Sequence, residues 1–68
     1  MIPRFAIVNI SERNEFEKMY QIPYGYGDCS IFDNIDDAIR EIKSVPEIYS
    51  GCSVEKIDDN GRDVVYKR

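Results

Sequence analysis

The stretch Ile57-Asp58-Asp59-Asn60-Gly61-Arg62-Asp63-Val64 decides the architecture. It sets a polar cluster between two short runs rich in β-branched residues, over 52–58 and 63–67, which is the pattern of a β-hairpin. Two registers compete. A two-residue Asn60-Gly61 loop sets Asp58 opposite Asp63, a like-charge pair. A three-residue loop with Gly61 in the left-handed conformation sets Asp58 opposite Arg62 and aligns Cys52, Val54, Val64 and Tyr66 on one face. The second register is expected, because charge pairing and apolar alignment improve together.

Upstream of the hairpin lies the clearest helix, over 35–44. Asn34 is its N-cap, and Asp37 three residues on is a weak capping-box analogue. Asp36 and Asp37 stand in the first turn, where the helix dipole favours negative charge. Ile35, Ala38, Ile39 and Ile42 form one apolar stripe. Asp36 is spaced to pair with Arg40. Pro46 forbids continuation and pushes Val45 to an extended shape.

The N-terminal third is less decided. Residues 4–10, Arg-Phe-Ala-Ile-Val-Asn-Ile, are apolar on both parities, as a strand covered at least in part on both sides would be. Residues 11–14 are polar and turn-like. Residues 15–22 alternate, with Phe16, Lys18, Tyr20 and Ile22 on one parity, and are expected to form a strand. The alternative is a helix capped by Ser11 with Phe16, Met19 and Tyr20 on one face. Pro23 ends either element. Tyr24-Gly25-Tyr26-Gly27-Asp28 is a loop whose glycines permit positive φ, and 29–32 is a brief extended piece.

The expected fold is therefore α+β. It is a single domain over residues 1–68, a small two-layer ββαββ unit with one helix packed on one face of a largely antiparallel sheet. A β-grasp arrangement is equally compatible, because the connection after Pro46 does not fix the sheet order. One helix covers one face. The other face carries some of Phe5, Ala6, Ile7, Val8, Ile10 and Val65, and is expected to be open, a candidate surface for a homodimer or another partner.

Composition bounds the chemistry. In 68 residues the hydrophobic core is thin, and oligomerisation is a common remedy. A net charge of −4 and the lack of any Lys/Arg cluster argue against nucleic-acid binding, though Arg4, Lys18, Arg62, Lys67 and Arg68 are available for a local basic patch. An acidic surface favours a partner with a basic one. No apolar run approaches the ~20 residues of a membrane span. The N-terminal Met1-Ile2-Pro3-Arg4-Phe5 lacks a signal-peptide layout, so a soluble cytoplasmic protein is expected.

The chain has no His, which removes the usual general base near neutral pH and the commonest metal ligand. Cys29 and Cys52 form no CxxC pair and read as small apolar side chains, although a disulfide between them is compatible with the sequence. Asp58, Asp59, Asn60 and Asp63 surround Gly61, but an EF-hand loop would place Lys56 and Lys67 at ligand positions. Asp33, Asp36 and Asp37 are accounted for by capping. No catalytic residue, metal site or cofactor is expected, and the chain is read as not an enzyme.

The best candidate site is the tyrosine loop: Tyr20, Tyr24, Gly25, Tyr26, Gly27 and Asp28. Tyrosines are rigid, amphipathic anchors at low entropic cost and are enriched at interface hot spots. In so small a domain the competing account is a loop folded back so that its tyrosines complete the core. The loop is no phosphate cradle, since the GxxxxGK(S/T) pattern is absent.

These features point to a small acidic non-enzymatic protein-binding module, an inhibitor or regulator that docks through Tyr24 and Tyr26. In type, such a chain resembles the small inhibitors that phages use against host defence systems, a likeness that rests on no particular residues. The alternative is a homo-oligomer binding a small ligand or nucleotide between subunits, with Tyr24 or Tyr26 stacked on a base. A third reading is a nucleic-acid binder using the tyrosines with Lys67 and Arg68.

Overall fold

The computed structural model describes residues 2–67. Met1 and Arg68, which figure in the sequence reading of the N-terminus and of the basic groups, lie outside the described residues. The elements run β1 (Arg4–Val8), α1 (Ile10–Tyr20), a 3-10 turn (Tyr26–Asp28), β2 (Ser30–Phe32), α2 (Ile35–Ser44), β3 (Ser53–Asp58) and β4 (Gly61–Lys67). The strands form one sheet in the order β2-β1-β3-β4, antiparallel throughout. The fold is a small α+β domain with ββαββ strand–helix order once α1 is set aside. The antiparallel pairing of β1 with β3 selects the fully antiparallel sheet over a β-grasp one, with α2 carrying the chain from β2 across β1 to β3.

The helix over 35–44 forms as its sequence dictates. The Asn34 side chain accepts the Asp37 N–H at 2.9 Å, and its amide donates back to the Asp37 carboxylate at 3.0 Å. Ala38 and Ile42 are fully buried, and Ile35 and Ile39 pack beside them against Phe5, Ile7, Phe32 and Val54 of the sheet. The ion pair on this helix differs from the expected one. Arg40 meets Asp37 at i, i+3 rather than Asp36, and both side chains are largely solvated.

Residues 15–22 are not a strand. They belong mostly to α1, and the second strand is the short Ser30–Phe32 piece. The cap is Asn9 rather than Ser11: Asn9 leaves β1 in extended conformation, and its side chain accepts the Glu12 N–H at 3.1 Å. An Asn followed three residues later by Glu is a helix-start signal, and it lay hidden inside the apolar run read as strand.

The hairpin takes neither expected register. Asp58 pairs with Gly61, Ile57 with Arg62 and Lys56 with Asp63, around a two-residue Asp59-Asn60 turn. The Asp58 side chain accepts the Asn60 N–H at 2.9 Å, and Gly61 follows with φ +120°. The register sets Lys56 opposite Asp63, unlike charges on facing strands, while the Lys56 ammonium lies 3.8 Å from Asp58. Farther up, Glu55 pairs with Val64 but Val54 with Tyr66, so β4 carries a bulge at Val65. Through this extra residue Val65 and Tyr66, adjacent in sequence, both pack on the core.

The second sheet face is not open. Cross-strand partners share a face, so Ala6, Val8, Ser53 and Glu55 lie opposite the α2 layer. All four are buried. Arg13 of α1 and Tyr26 of the following turn reach Glu55 from that side, so α1 and its loop cover the face expected to be free. A dimer through a bare aliphatic face therefore has no surface to use. Among the described residues no helix is long and apolar enough to cross a membrane.

Candidate functional site

The inner face of α1 is polar. Arg13 is buried, Phe16 and Glu17 are half-buried, and the apolar Met19 and Tyr20 point outward, 72% and 59% exposed. The reason lies beneath the helix. Glu55 stands at the centre of β3, 1% exposed, and a buried carboxylate requires partners. Arg13 Nη1 donates to Glu55 Oε2, and the Tyr26 hydroxyl donates to Glu55 Oε1. The Tyr26 oxygen also accepts from Arg13 Nη1 at 3.3 Å and from Arg62 Nη1 at 3.1 Å. Its one donor and two acceptor positions are thus all used.

Arg62 continues the network outward, donating to Glu17 Oε1 at 2.7 Å and to Oε2 at 3.0 Å. The Arg62 bond and the Tyr24 N–H hold the Glu17 carboxyl down at about 2, and Arg62 itself is raised by the same bond. Burial and the Glu55 carboxylate push the Tyr26 phenol up. Among the described residues no buried side-chain polar atom lacks a partner. This network ties α1 and the turn at Tyr26 to β3 and β4.

Each residue of the expected site can now be placed. Tyr20 is exposed and packs its ring on Phe16 at 4.8 Å. Tyr24 is half-buried, edge-on to Phe16 at 5.4 Å and to Tyr26 at 5.2 Å, with its hydroxyl 3.8 Å from Cys29 Sγ. The bond to that thiol raises the Tyr24 phenol above its ordinary value. Tyr26 turns its hydroxyl inward to the network. Gly25, Gly27 and Asp28 are exposed, and a Cβ on either glycine would meet nothing within 4 Å. Neither glycine uses positive φ; the positive-φ glycines are Gly51 and Gly61.

What sequence reading missed is the corner that follows α1. Gln21 terminates the helix in the left-handed conformation, φ 55° and ψ 36°, with its N–H on the Glu17 carbonyl at 2.9 Å. The turn leaves Ile22 55% exposed next to Met19 and Tyr20. Met19, with Glu15 and Lys18, also lines a shallow open depression of about 380 Å³. Three large exposed apolar side chains within four residues form a surface feature rather than a scatter. Of the groups named for a basic patch, Lys18 lines this depression and Arg62 is taken up by the Glu17 carboxylate at 2.7 Å.

The cysteines are free. They lead into β2 and β3, which flank β1 on opposite sides. Cys52 packs on the α2 core, whereas Cys29 meets Tyr24. Among the described residues no group of three His, Cys, Asp or Glu side chains could hold a metal ion. A scan against protein-family models and searches of curated proteins and solved structures gave no match to this chain.

Proposed function

We propose that this chain is a small non-enzymatic protein-binding module that acts as an inhibitor or regulator by docking on another protein. The observation that carries the reading is the corner at the end of α1, where Met19, Tyr20 and Ile22 stand 72%, 59% and 55% exposed around a left-handed Gln21. Met and Tyr are favoured at the centres of interfaces, and exposed apolar side chains gain by being covered. Tyr24, Gly25, Gly27 and Asp28 adjoin this corner in the loop and extend the surface named from the sequence. The net charge of −4 favours a partner with a basic surface, steered by long-range attraction.

The test is a comparison of wild type with Met19→Asp/Ile22→Asp in affinity capture followed by quantitative binding to any captured protein. Both positions are exposed, so the fold should persist. Binding lost in the double variant, and weakened by salt in the wild type, supports the reading. A partner that binds both forms equally would show that the corner is not the docking surface. Light scattering across a concentration series separates the case in which the partner is a second copy.

A further inference from the structure

Glu17 anchors the backbone of the exposed corner. Glu17 holds it at both ends: its main-chain carbonyl accepts the Gln21 N–H at 2.9 Å, and its carboxylate Oε2 accepts the Tyr24 N–H at 2.8 Å. Ile22 lies between these two bonds. The same carboxylate is gripped by both terminal nitrogens of Arg62, which comes from β4, 45 positions away in sequence. Arg62 is itself steadied by the Tyr26 oxygen, and so by the buried Glu55 behind it.

We infer that Glu17 and Arg62 are positioning residues that hold the Gln21–Tyr24 corner in one shape, so that Met19, Tyr20 and Ile22 meet a partner already ordered. The inference rests on the docking reading for its purpose, though not for its geometry. A left-handed glutamine is an unfavourable backbone state and persists only where neighbouring bonds fix it. The Glu17 carboxylate supplies a charge-assisted bond to a main-chain donor, which is stronger than a neutral one. Ordering the corner in advance removes part of the entropic cost that docking on a loose loop would carry. The Arg62 fork needs planar two-point geometry, so lysine is not an equivalent brace.

Amide hydrogen exchange followed by NMR on the whole chain tests this without any partner. In the wild type the Tyr24 N–H should be protected. Glu17→Ala should speed its exchange by at least about tenfold, the worth of one hydrogen bond to a charged group. Arg62→Ala and Arg62→Lys should speed it by smaller factors, while the Ala6 and Val54 amides at the sheet centre stay within about twofold. The inference is overturned if Tyr24 exchanges freely in the wild type, if neither substitution changes it, or if Ala6 and Val54 accelerate in step with it. Should Glu17→Ala fail to fold, the two Arg62 variants decide. Failure of the docking reading shows separately, as partner binding indifferent to Met19→Asp/Ile22→Asp with the exchange pattern intact.

Discussion

Arg13 on α1 and Glu55 at the centre of β3, 42 positions apart in sequence, form an ion pair across the second face of the sheet with side chains only 8% and 2% exposed. Such a pair adds little net stability over apolar residues of the same volume, but breaking it strands a buried charge. Burial alone would lower the Arg13 guanidinium; its bonds to Glu55 and Tyr26 more than offset this and raise it. The pair therefore acts as a fastener between α1 and the sheet.

Glu55→Ala should cost about 3–5 kcal/mol, because it leaves Arg13 and the Tyr26 hydroxyl buried without their acceptor. A domain of this size has roughly 3–10 kcal/mol in total, so the loss is between about a third of the stability and all of it. Replacing both partners, Arg13→Met with Glu55→Leu, should recover most of the loss. Urea unfolding followed by circular dichroism checks both, and a loss under about 1 kcal/mol for Glu55→Ala would remove the fastener role.

Acid should loosen the α1–β4 link selectively. The Glu17 carboxyl is held at about 2, below its ordinary 4.5, by Arg62 and the Tyr24 N–H. A depressed carboxyl contributes stability that is fully present above its unfolded value and is lost as pH falls from about 4.5 through about 2. Urea midpoints of wild type and Glu17→Gln should therefore differ at pH 7 and converge toward pH 2. A gap that stays constant over that range would contradict the assignment.

Gln21 occupies a conformation that glycine adopts freely. Gln21→Gly should raise stability by about 0.5–1 kcal/mol, and Gln21→Val should lower it by a similar amount or more. Thermal unfolding of the two variants beside wild type gives the comparison, and a destabilised glycine variant would mean the Gln21 side chain itself holds the corner.

Burial separates the two apolar sets on the helices. Ile42, fully buried against the sheet, should cost about 2–5 kcal/mol as Ile42→Ala. Met19→Ala, at a position 72% exposed, should stay within about 0.5 kcal/mol. Equal losses at the two positions would mean that Met19 is covered in solution, which points to self-association through the corner.

Both thiols should be free. Intact mass after alkylation in denaturant without reductant should show two modified cysteines. Under native conditions Cys52, whose thiol is raised by burial, should react more slowly than in the unfolded chain. A chain that takes up no label until reduced would contradict the free state of the two thiols.

The parts legible from the chain are those whose information is local. α2 was legible from cap to stop, because Asn34, the Ile35–Ala38–Ile39–Ile42 stripe and Pro46 each act within a turn or two of the chain. The hairpin's existence and the α+β class followed in the same way from turn residues and β-branched runs. Its register was not legible, since Lys56–Asp63 and Asp58–Arg62 are charge pairings of similar worth and the bulge at Val65 answers to core packing. Only the tertiary structure decided α1. The helix weighed from a Phe16, Met19 and Tyr20 face turns a different side inward, Arg13, Phe16 and Glu17, and a buried arginine reads as a surface residue until Glu55 is known to lie beneath it. The alternation that mimicked a strand over 15–22 joined half-buried Phe16 to Lys18, Tyr20 and Ile22, which face solvent, where nothing selects a period. Tyr20 was named for the site from the chain, but its grouping with exposed Met19 and Ile22 was not: exposure is set by what the rest of the fold fails to cover, and that depends on contacts dozens of residues apart.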